Sequence, residues 1–159
     1  ARKERPMAMV LLGDGPMRPL VDYWAKRVPE LHVAGFTDDR ALLASTLASA
    51  DAVVHASAAE TYGLSIAEAI CAGAPVVVPD VGGAVELCAP SYSEVYATGD
   101  AQSCADALLR LLARDRSLMR RACQQEGRAR IVSVDQHFVE LFALYGSLLA
   151  QRSVERSVS

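Results

Sequence analysis

The sequence is poor in aromatic residues, has no long apolar run and carries no large excess of charge. Aromatic residues make up 6% of the 159 residues and hydrophobic residues 52%, which is typical of an alanine-, valine- and leucine-rich α/β domain rather than a β-sandwich. The net charge of −3 does not favour a nucleic-acid-binding protein. No apolar stretch approaches the ~18 residues of a membrane-spanning helix, and no signal peptide is apparent. Because the first residue is Ala1 rather than Met, we expect the chain to be cut from a longer protein.

The cysteines lack the spacing of a metal site. They occur at positions 71, 88, 104 and 123, with no Cys-x-x-Cys pair and no interleaved histidine pair, so a zinc site is not favoured. Cys71, Cys88 and Cys104 have apolar neighbours and are predicted to be reduced thiols in the core. We expect no metal ion and no other cofactor.

Short apolar runs alternate with segments of helical periodicity. The predicted strands are 8–12, 31–34, 52–56, 76–78 and 94–97. The predicted helices are 18–27, 38–49, 65–72, 83–87, 101–112, 117–130 and 135–150. This order predicts an α/β fold, a doubly wound parallel sheet of the Rossmann-like kind with additional C-terminal helices. We assign residues 1–150 to one partial Rossmann-like domain and 151–159 to a flexible tail.

In such a sheet, ligands bind at the carboxyl ends of the strands. The loops expected there are 13–16, 35–38, 56–63, 79–83 and 97–100. The third of these loops leads into the most informative stretch of the chain, residues 60–75.

Residues 60–75 combine two carboxylates with a helix start. Glu60 and Glu68 flank a glycine turn at Gly63, and a helix follows that Gly73 and Pro75 bring to an end. A helix N-terminus at the end of a parallel sheet attracts anions, and carboxylates accept hydrogen bonds from hydroxyl groups. Phosphate at the helix and hydroxyls on the glutamates together indicate a sugar nucleotide.

Less specific interpretations remain open for several residues. Ser65 and Glu68 also fit a capping box, in which Ser65 caps the helix and Glu68 has only a structural role. His55 precedes the motif at the end of a predicted strand. It either lies near the bound ligand or makes a structural hydrogen bond. The series of arginines in residues 110–130 is typical of a solvent-exposed helix face. The alternative is that these arginines contact an anionic membrane. Gly13 and Gly15 follow a strand, but Arg18 stands where a dinucleotide fingerprint has its third glycine.

The motifs occur in the order of a known family. They are the glycines 13 and 15 with Pro16, the segment 33–36, the segment 50–54, Glu60-x7-Glu68-Ala69 with Gly73-x-Pro75, and Gly82-Gly83-x-x-Glu86. From residue 8 to about 150 the sequence resembles the C-terminal, donor-binding domain of retaining glycosyltransferases of the GT-B fold, family four. The resemblance implies transfer of a hexose from a UDP- or GDP-sugar to an acceptor without a metal ion, and no Asp-x-Asp pair is present.

The resemblance also implies roles for individual residues. Glu60 would accept hydrogen bonds from the donor sugar beside the reacting centre, and Glu68 would hold the ribose hydroxyls. Backbone amides at Gly63, Leu64 and Ser65 would meet the diphosphate.

The remaining donor-binding positions surround this centre. Tyr62 stands where the family usually has phenylalanine. The resemblance implies that Gly35, Phe36 and Thr37 lie along the base, that Gly13 and Gly15 leave space near the cleft, and that Gly82 and Gly83 let the next helix approach the donor.

Two parts of the family pattern are absent. No Gly-Arg or Lys-Gly element, which would grip the phosphates, stands before residue 8. Its strand would lie centrally, between the predicted strands 8–12 and 52–56. The N-terminal domain, which would bind a glycan or lipid acceptor, is absent as well. The fragment alone is therefore expected to be inactive and marginally stable. The intact protein is expected to be cytoplasmic, and peripheral contact at the inner membrane face is an alternative that the sequence leaves open. A sugar-nucleotide epimerase and a non-catalytic sugar-nucleotide-binding module are the alternatives.

Overall fold

The computed structural model describes residues 6–157, with side chains for 6–151. The chain divides into two compact units, Ala1–Thr46 and Leu47–Ser159. The boundary falls within a helix, and each unit is described by itself below.

The first unit contains a two-stranded parallel sheet. Its strands are β1 (Met9–Leu12) and β2 (Leu31–Gly35), with Met9 opposite Leu31. The connection between them contains α1 (Arg18–Ala25), which has a proline in its first turn, as helices tolerate. Within residues 6–46 no residue is fully buried, so this unit exposes much of its apolar surface.

Helix α2 (Arg40–Ser49) crosses the boundary between the units. The Asp39 carboxylate accepts hydrogen bonds from the amides of Ala41 and Leu42 at 2.9 and 3.0 Å. Asp39 is therefore the capping residue of α2.

The second unit contains a three-stranded parallel sheet in the order β3-β4-β5. The strands are β3 (Val53–Val54), β4 (Val76–Pro79) and β5 (Ser93–Tyr96). The helices are α3 (Leu64–Ala72), a 3-10 helix (Gly83–Leu87), α4 (Ala101–Leu112), α5 (Arg116–Ala122), a π-helical turn (Cys123–Gly127), α6 (Arg128–Arg130) and α7 (Val134–Ser157).

The core of the second unit lies on both faces of β4, whose residues are all buried. On one face, Val77 packs in a buried cluster with Tyr96, Leu111 and Met119. Elsewhere in this core Ile70 of α3 packs so closely on the π-helical turn that a Cβ at Gly127 would lie 2.2 Å from its Cγ2. This packing fixes α3, and with it the helix end that follows the Glu60 loop.

The predicted fold class is confirmed, because the strands are parallel and alternate with helices. Each unit has its own strand pairing: among the described strands β1 pairs with β2, and β3 pairs with β4. Residues 6–157 do not supply the further strand that the family resemblance implies. Helix α7 also continues seven residues past the predicted end of the domain at 150, to Ser157.

The predicted burial of the cysteines is wrong for Cys71 and only partly met for Cys88 and Cys104. Cys71, predicted to be a core thiol, is exposed, Cys88 and Cys104 are half-buried, and Cys123 is buried. The buried face of α3 carries Ile66, Ala67, Ala69 and Ile70, and Cys71 lies off that stripe. The apolar face of α7 is largely exposed at Phe138, Phe142, Tyr145, Leu148 and Leu149.

At pH 8, iodoacetamide is expected to modify Cys71 first and Cys123 last. Burial raises the pKa of Cys123 from 9.0 to about 11, so its reactive thiolate is scarce. Such a raised pKa stabilises the folded state below about pH 9, and this contribution is lost as the pH rises through about 11. Time-resolved mass spectrometry of the labelled peptides measures the order, with Cys71→Ala as the control that removes the fast site. Equal rates at Cys71 and Cys123 would contradict the buried position.

Four of the arginines in residues 110–130 form ion pairs or hydrogen bonds with other groups of the protein. Arg110 and Arg114 pair with Glu94 at 3.0 and 3.5 Å. Arg116 pairs with Asp51 at 2.8 Å. Arg120 donates to carbonyls at the end of α2. Intramolecular contacts account for these four side chains without a membrane.

Candidate functional site

The carboxyl ends of β3, β4 and β5 meet at one edge of the second unit, because the strands are parallel. The amide of His55 donates to Val77 at 2.9 Å, and the Tyr96 hydroxyl donates to the carbonyl of His55 at 2.9 Å. The loop that carries Glu60 therefore begins from a point held by both β4 and β5.

A glycine pair holds the Glu60 loop from the other side. The amide of Gly83 donates to the carbonyl of Glu60 at 2.7 Å. A Cβ at Gly83 would lie 2.0 Å from the carbonyl oxygen of Thr61, and one at Gly82, where φ is +88°, would lie 3.2 Å from that of Glu60. Gly82 and Gly83 thus let two backbones touch, a contact that the sequence did not predict.

Helix α3 begins at Gly63, which has a left-handed conformation with φ 91°. No side chain caps this end, and the amides of Ile66 and Ala67 donate to the carbonyl of Gly63. The capping-box interpretation is wrong, because Ser65 lies inside the helix and the capping residue has no side chain. The first amides of a helix have no intrahelical acceptor, so Leu64 and Ser65, both exposed, offer backbone donors to an anion.

The two glutamates of the motif differ in their surroundings. The side chain of Glu60 is 29% exposed, and its Oε2 lies 3.9 Å from Nε2 of His55. Glu68 is half-buried on α3. Tyr62 is 41% exposed. The structure thus brings Glu60, the start of α3 and the glycine pair into one part of the second unit.

Asp80, directly after β4, was not predicted from the sequence. Its carboxylate accepts hydrogen bonds from the hydroxyl and the amide of Thr98, at 2.6 and 3.0 Å. The Thr98 hydroxyl bond lowers the pKa of Asp80. This pair ties the loop after β4 to the loop after β5, and an aspartate at a strand end is the sequence signal that points to it.

The other candidate residues lie in the first unit. The amide of Gly13 donates to the carbonyl of Gly35 at 2.8 Å, which joins the loops after β1 and β2. A Cβ added at Gly15 would meet no heavy atom within 4 Å. Phe36 is 76% exposed, and the Thr37 hydroxyl accepts from the amide of Asp39 at 3.2 Å. A cavity of about 320 Å³ beside the first loop includes Gly13 and Gly15 in its lining.

The family model described as glycosyl transferases group 1 matches residues 1–114, more than half of the chain. The chain belongs to this family.

Two curated relatives of this group 1 chain are mycobacterial. It is 33% identical over 98 residues to a GDP-mannose-dependent alpha-(1-6)-phosphatidylinositol dimannoside mannosyltransferase of Mycobacterium tuberculosis, with 62% of the chain and 23% of the relative covered. It is 35% identical over 101 residues to a GDP-mannose-dependent alpha-mannosyltransferase of Mycolicibacterium smegmatis, with 62% of the chain and 25% of the relative covered. The match thus spans about a quarter of the length of each relative.

A solved structure shows the same fold. HepE of Anabaena, crystallised with UDP-glucose, superposes with a TM-score of 0.70 at 24% identity, covering 86% of this group 1 chain and 40% of the other. The GT-B architecture expected from the resemblance is confirmed by such neighbours.

The described part of the chain displays neither a metal site nor a membrane span. Across residues 6–151, no three histidine, cysteine, aspartate or glutamate side chains are grouped to hold a metal ion. None of the described helices is long and apolar enough to cross a bilayer.

Proposed function

We propose that this chain is the donor-binding half of a retaining glycosyltransferase that transfers a hexose from a UDP- or GDP-sugar. The observation that carries the proposal is the uncapped start of α3 at Gly63, three residues after Glu60. The family supports it, as do the GDP-mannose dependence in the relatives' names and the UDP-glucose in the HepE crystal.

In the proposed sugar transfer the diphosphate leaving group must be stabilised. Negative charge grows on the leaving phosphate as the sugar develops oxocarbenium character. Fixed amide dipoles at Leu64 and Ser65 would stabilise that charge without reorganisation. Glu60 would orient the sugar through its hydroxyls, and Glu68 would hold the ribose. With these dipoles at the diphosphate, we propose that the reaction needs no metal ion.

The proposal also includes where the acceptor binds. We infer that a glycan or lipid acceptor is bound by parts of the protein corresponding to the relatives' length outside the match, and that residues 1–159 alone turn over no donor. We further propose that the reaction takes place in the cytoplasm, at or near the inner membrane face.

The test is turnover by the intact protein with a panel of UDP- and GDP-sugars, with and without a strong chelator. We expect release of nucleoside diphosphate and a product of retained anomeric configuration, at equal rates in both conditions. A sugar nucleotide of altered configuration would indicate an epimerase. Binding without any turnover would indicate a binding module. Loss of activity on chelation that Mg²⁺ or Mn²⁺ restores would refute metal independence alone.

Glu68→Gln is expected to weaken binding of the nucleoside diphosphate by about tenfold or more. A carboxylate that accepts from ribose hydroxyls forms charge-assisted bonds worth about 1.5–3 kcal/mol. Titration calorimetry with UDP and GDP measures the change, and thermal unfolding is recorded in parallel. The matched control is Glu126→Gln, an exposed glutamate that accepts from Ser91. Unchanged affinity together with a lower melting temperature would assign Glu68 a structural role.

A further inference from the structure

His55 follows β3 directly, and its backbone is fixed on both sides. Its amide donates to Val77, and its carbonyl accepts from the Tyr96 hydroxyl, both at 2.9 Å. The side chain is only 13% exposed. The imidazole therefore extends from a fixed backbone and is mostly buried.

The imidazole carries an unsatisfied polar atom. Nε2 of His55 is buried and has no hydrogen-bond partner among the described residues. Buried polar atoms without partners are rare in folded proteins and are costly. The atom beside it is Oε2 of Glu60 at 3.9 Å, just beyond hydrogen-bonding distance.

The backbone of Glu60 is also held, through the 2.7 Å bond from Gly83. The backbones of His55 and Glu60 are both fixed, whereas the Glu60 carboxylate is partly exposed. The distance between Nε2 and Oε2 can therefore change through rotation about the side-chain torsions of Glu60. A small rotation would bring Oε2 within hydrogen-bonding distance of Nε2 and leave Oε1 to accept from a ligand hydroxyl.

We propose that His55 is a positioning residue for Glu60. Its Nε2–H donates to Oε2 of Glu60 when the donor is bound, which fixes the carboxylate against the sugar. The inference rests on the proposed function, because it assigns Glu60 to the donor sugar. His55 itself touches no substrate in this scheme.

The test is a double-mutant cycle in the intact protein, using UDP- and GDP-sugars as donors. His55→Leu should lower kcat about tenfold or more, with little change in the Kd of the nucleoside diphosphate. His55→Gln, which keeps a donor near the position of Nε2, should recover most of the activity. In a Glu60→Gln background, His55→Leu should have little further effect, because the partner is already altered.

The structural control is Ser93→Ala, which removes a buried hydrogen bond of 2.7 Å to the carbonyl of Ala89 at the start of β5 and leaves His55 and its contacts unchanged. It should lower thermal stability and leave kcat nearly unchanged. Equal losses of kcat in Ser93→Ala and His55→Leu would overturn the inference, as would independent effects of His55→Leu and Glu60→Gln.

A spectroscopic measurement tests the contact without turnover. In protein with ¹⁵N-labelled histidine, the Nε2 resonance of His55 should change on adding nucleotide sugar and should change again with Glu60→Gln. The resonance should be insensitive to Glu126→Gln. A signal that ignores Glu60→Gln would overturn the inference even if the protein is inactive. Normal turnover that falls in Glu60→Gln but not in His55→Leu would overturn it and leave the proposed function intact.

Discussion

Glu60→Gln is expected to reduce kcat of the intact protein about a hundredfold while the affinity for the nucleoside diphosphate stays within about threefold. Preorganised charges beside a reacting centre typically contribute factors of about 10²–10³ to kcat. Glutamine keeps the size of the side chain but removes the charge and one acceptor, so binding of the nucleotide through α3 should persist. Steady-state kinetics and calorimetry separate the two quantities.

The comparison with Glu68→Gln sharpens this prediction. Glu60 lies in the loop before α3 and Glu68 within it, so the two changes should differ in kind. The Glu60 change should reduce kcat, and the Glu68 change should weaken nucleotide affinity. If Glu60→Gln weakens nucleotide affinity as much as Glu68→Gln and leaves kcat unchanged, the assignment of Glu60 to the reacting sugar is wrong.

Gly83→Ala is expected to be the most disruptive small substitution at the site. The added Cβ would lie 2.0 Å from the carbonyl oxygen of Thr61 and 2.9 Å from the amide of Tyr62. The 3-10 helix and the Glu60 loop must separate, which costs packing and the 2.7 Å bond from Gly83 to Glu60. We expect a loss of about 2–4 kcal/mol in the free energy of unfolding.

Denaturant unfolding and hydrogen exchange at residues 56–63 measure this effect. The control is Gly146→Ala in α7, where a Cβ meets no heavy atom within 4 Å and alanine favours the helix. An unchanged unfolding free energy for Gly83→Ala, with exchange in the loop as slow as before, would show that the loop does not depend on this close approach.

Local sequence patterns predicted a helix or strand well where the residues that determine it lie within that helix or strand. The apolar stripe after residue 100 predicted α4, and Asp100 caps it by accepting from Gln102 and Ser103. The start of α3 was harder, because Ser65 and Glu68 match a capping box in sequence. The actual capping residue, Gly63, packs against Ala84, whose Cα would lie 3.0 Å from an added Cβ. Because Gly63 and Ala84 are 21 positions apart in the sequence, this contact could not be read from the local capping-box pattern of Ser65 and Glu68.

The resemblance implies that Gly82 and Gly83 let the next helix approach the donor, and this stays a prediction. The structure shows both glycines against the Glu60 loop, a contact that the sequence did not predict. Burial was missed for a similar reason. Cys71 has apolar neighbours in sequence, but which side of α3 is covered depends on the π-helical turn that packs on it. The donor roles of the site residues stay predictions.

The Glu60 loop is held through main-chain atoms at both ends. The amide of His55 bonds to β4, the carbonyl of Glu60 bonds to Gly83, and Gly82 approaches the carbonyls of Ala58 and Glu60. None of these contacts depends on which side chain Ala56, Ser57 or Thr61 carries, and these three residues are exposed. Exchanges at these three positions can therefore change the surface of the loop while the main-chain contacts that hold Glu60 are kept.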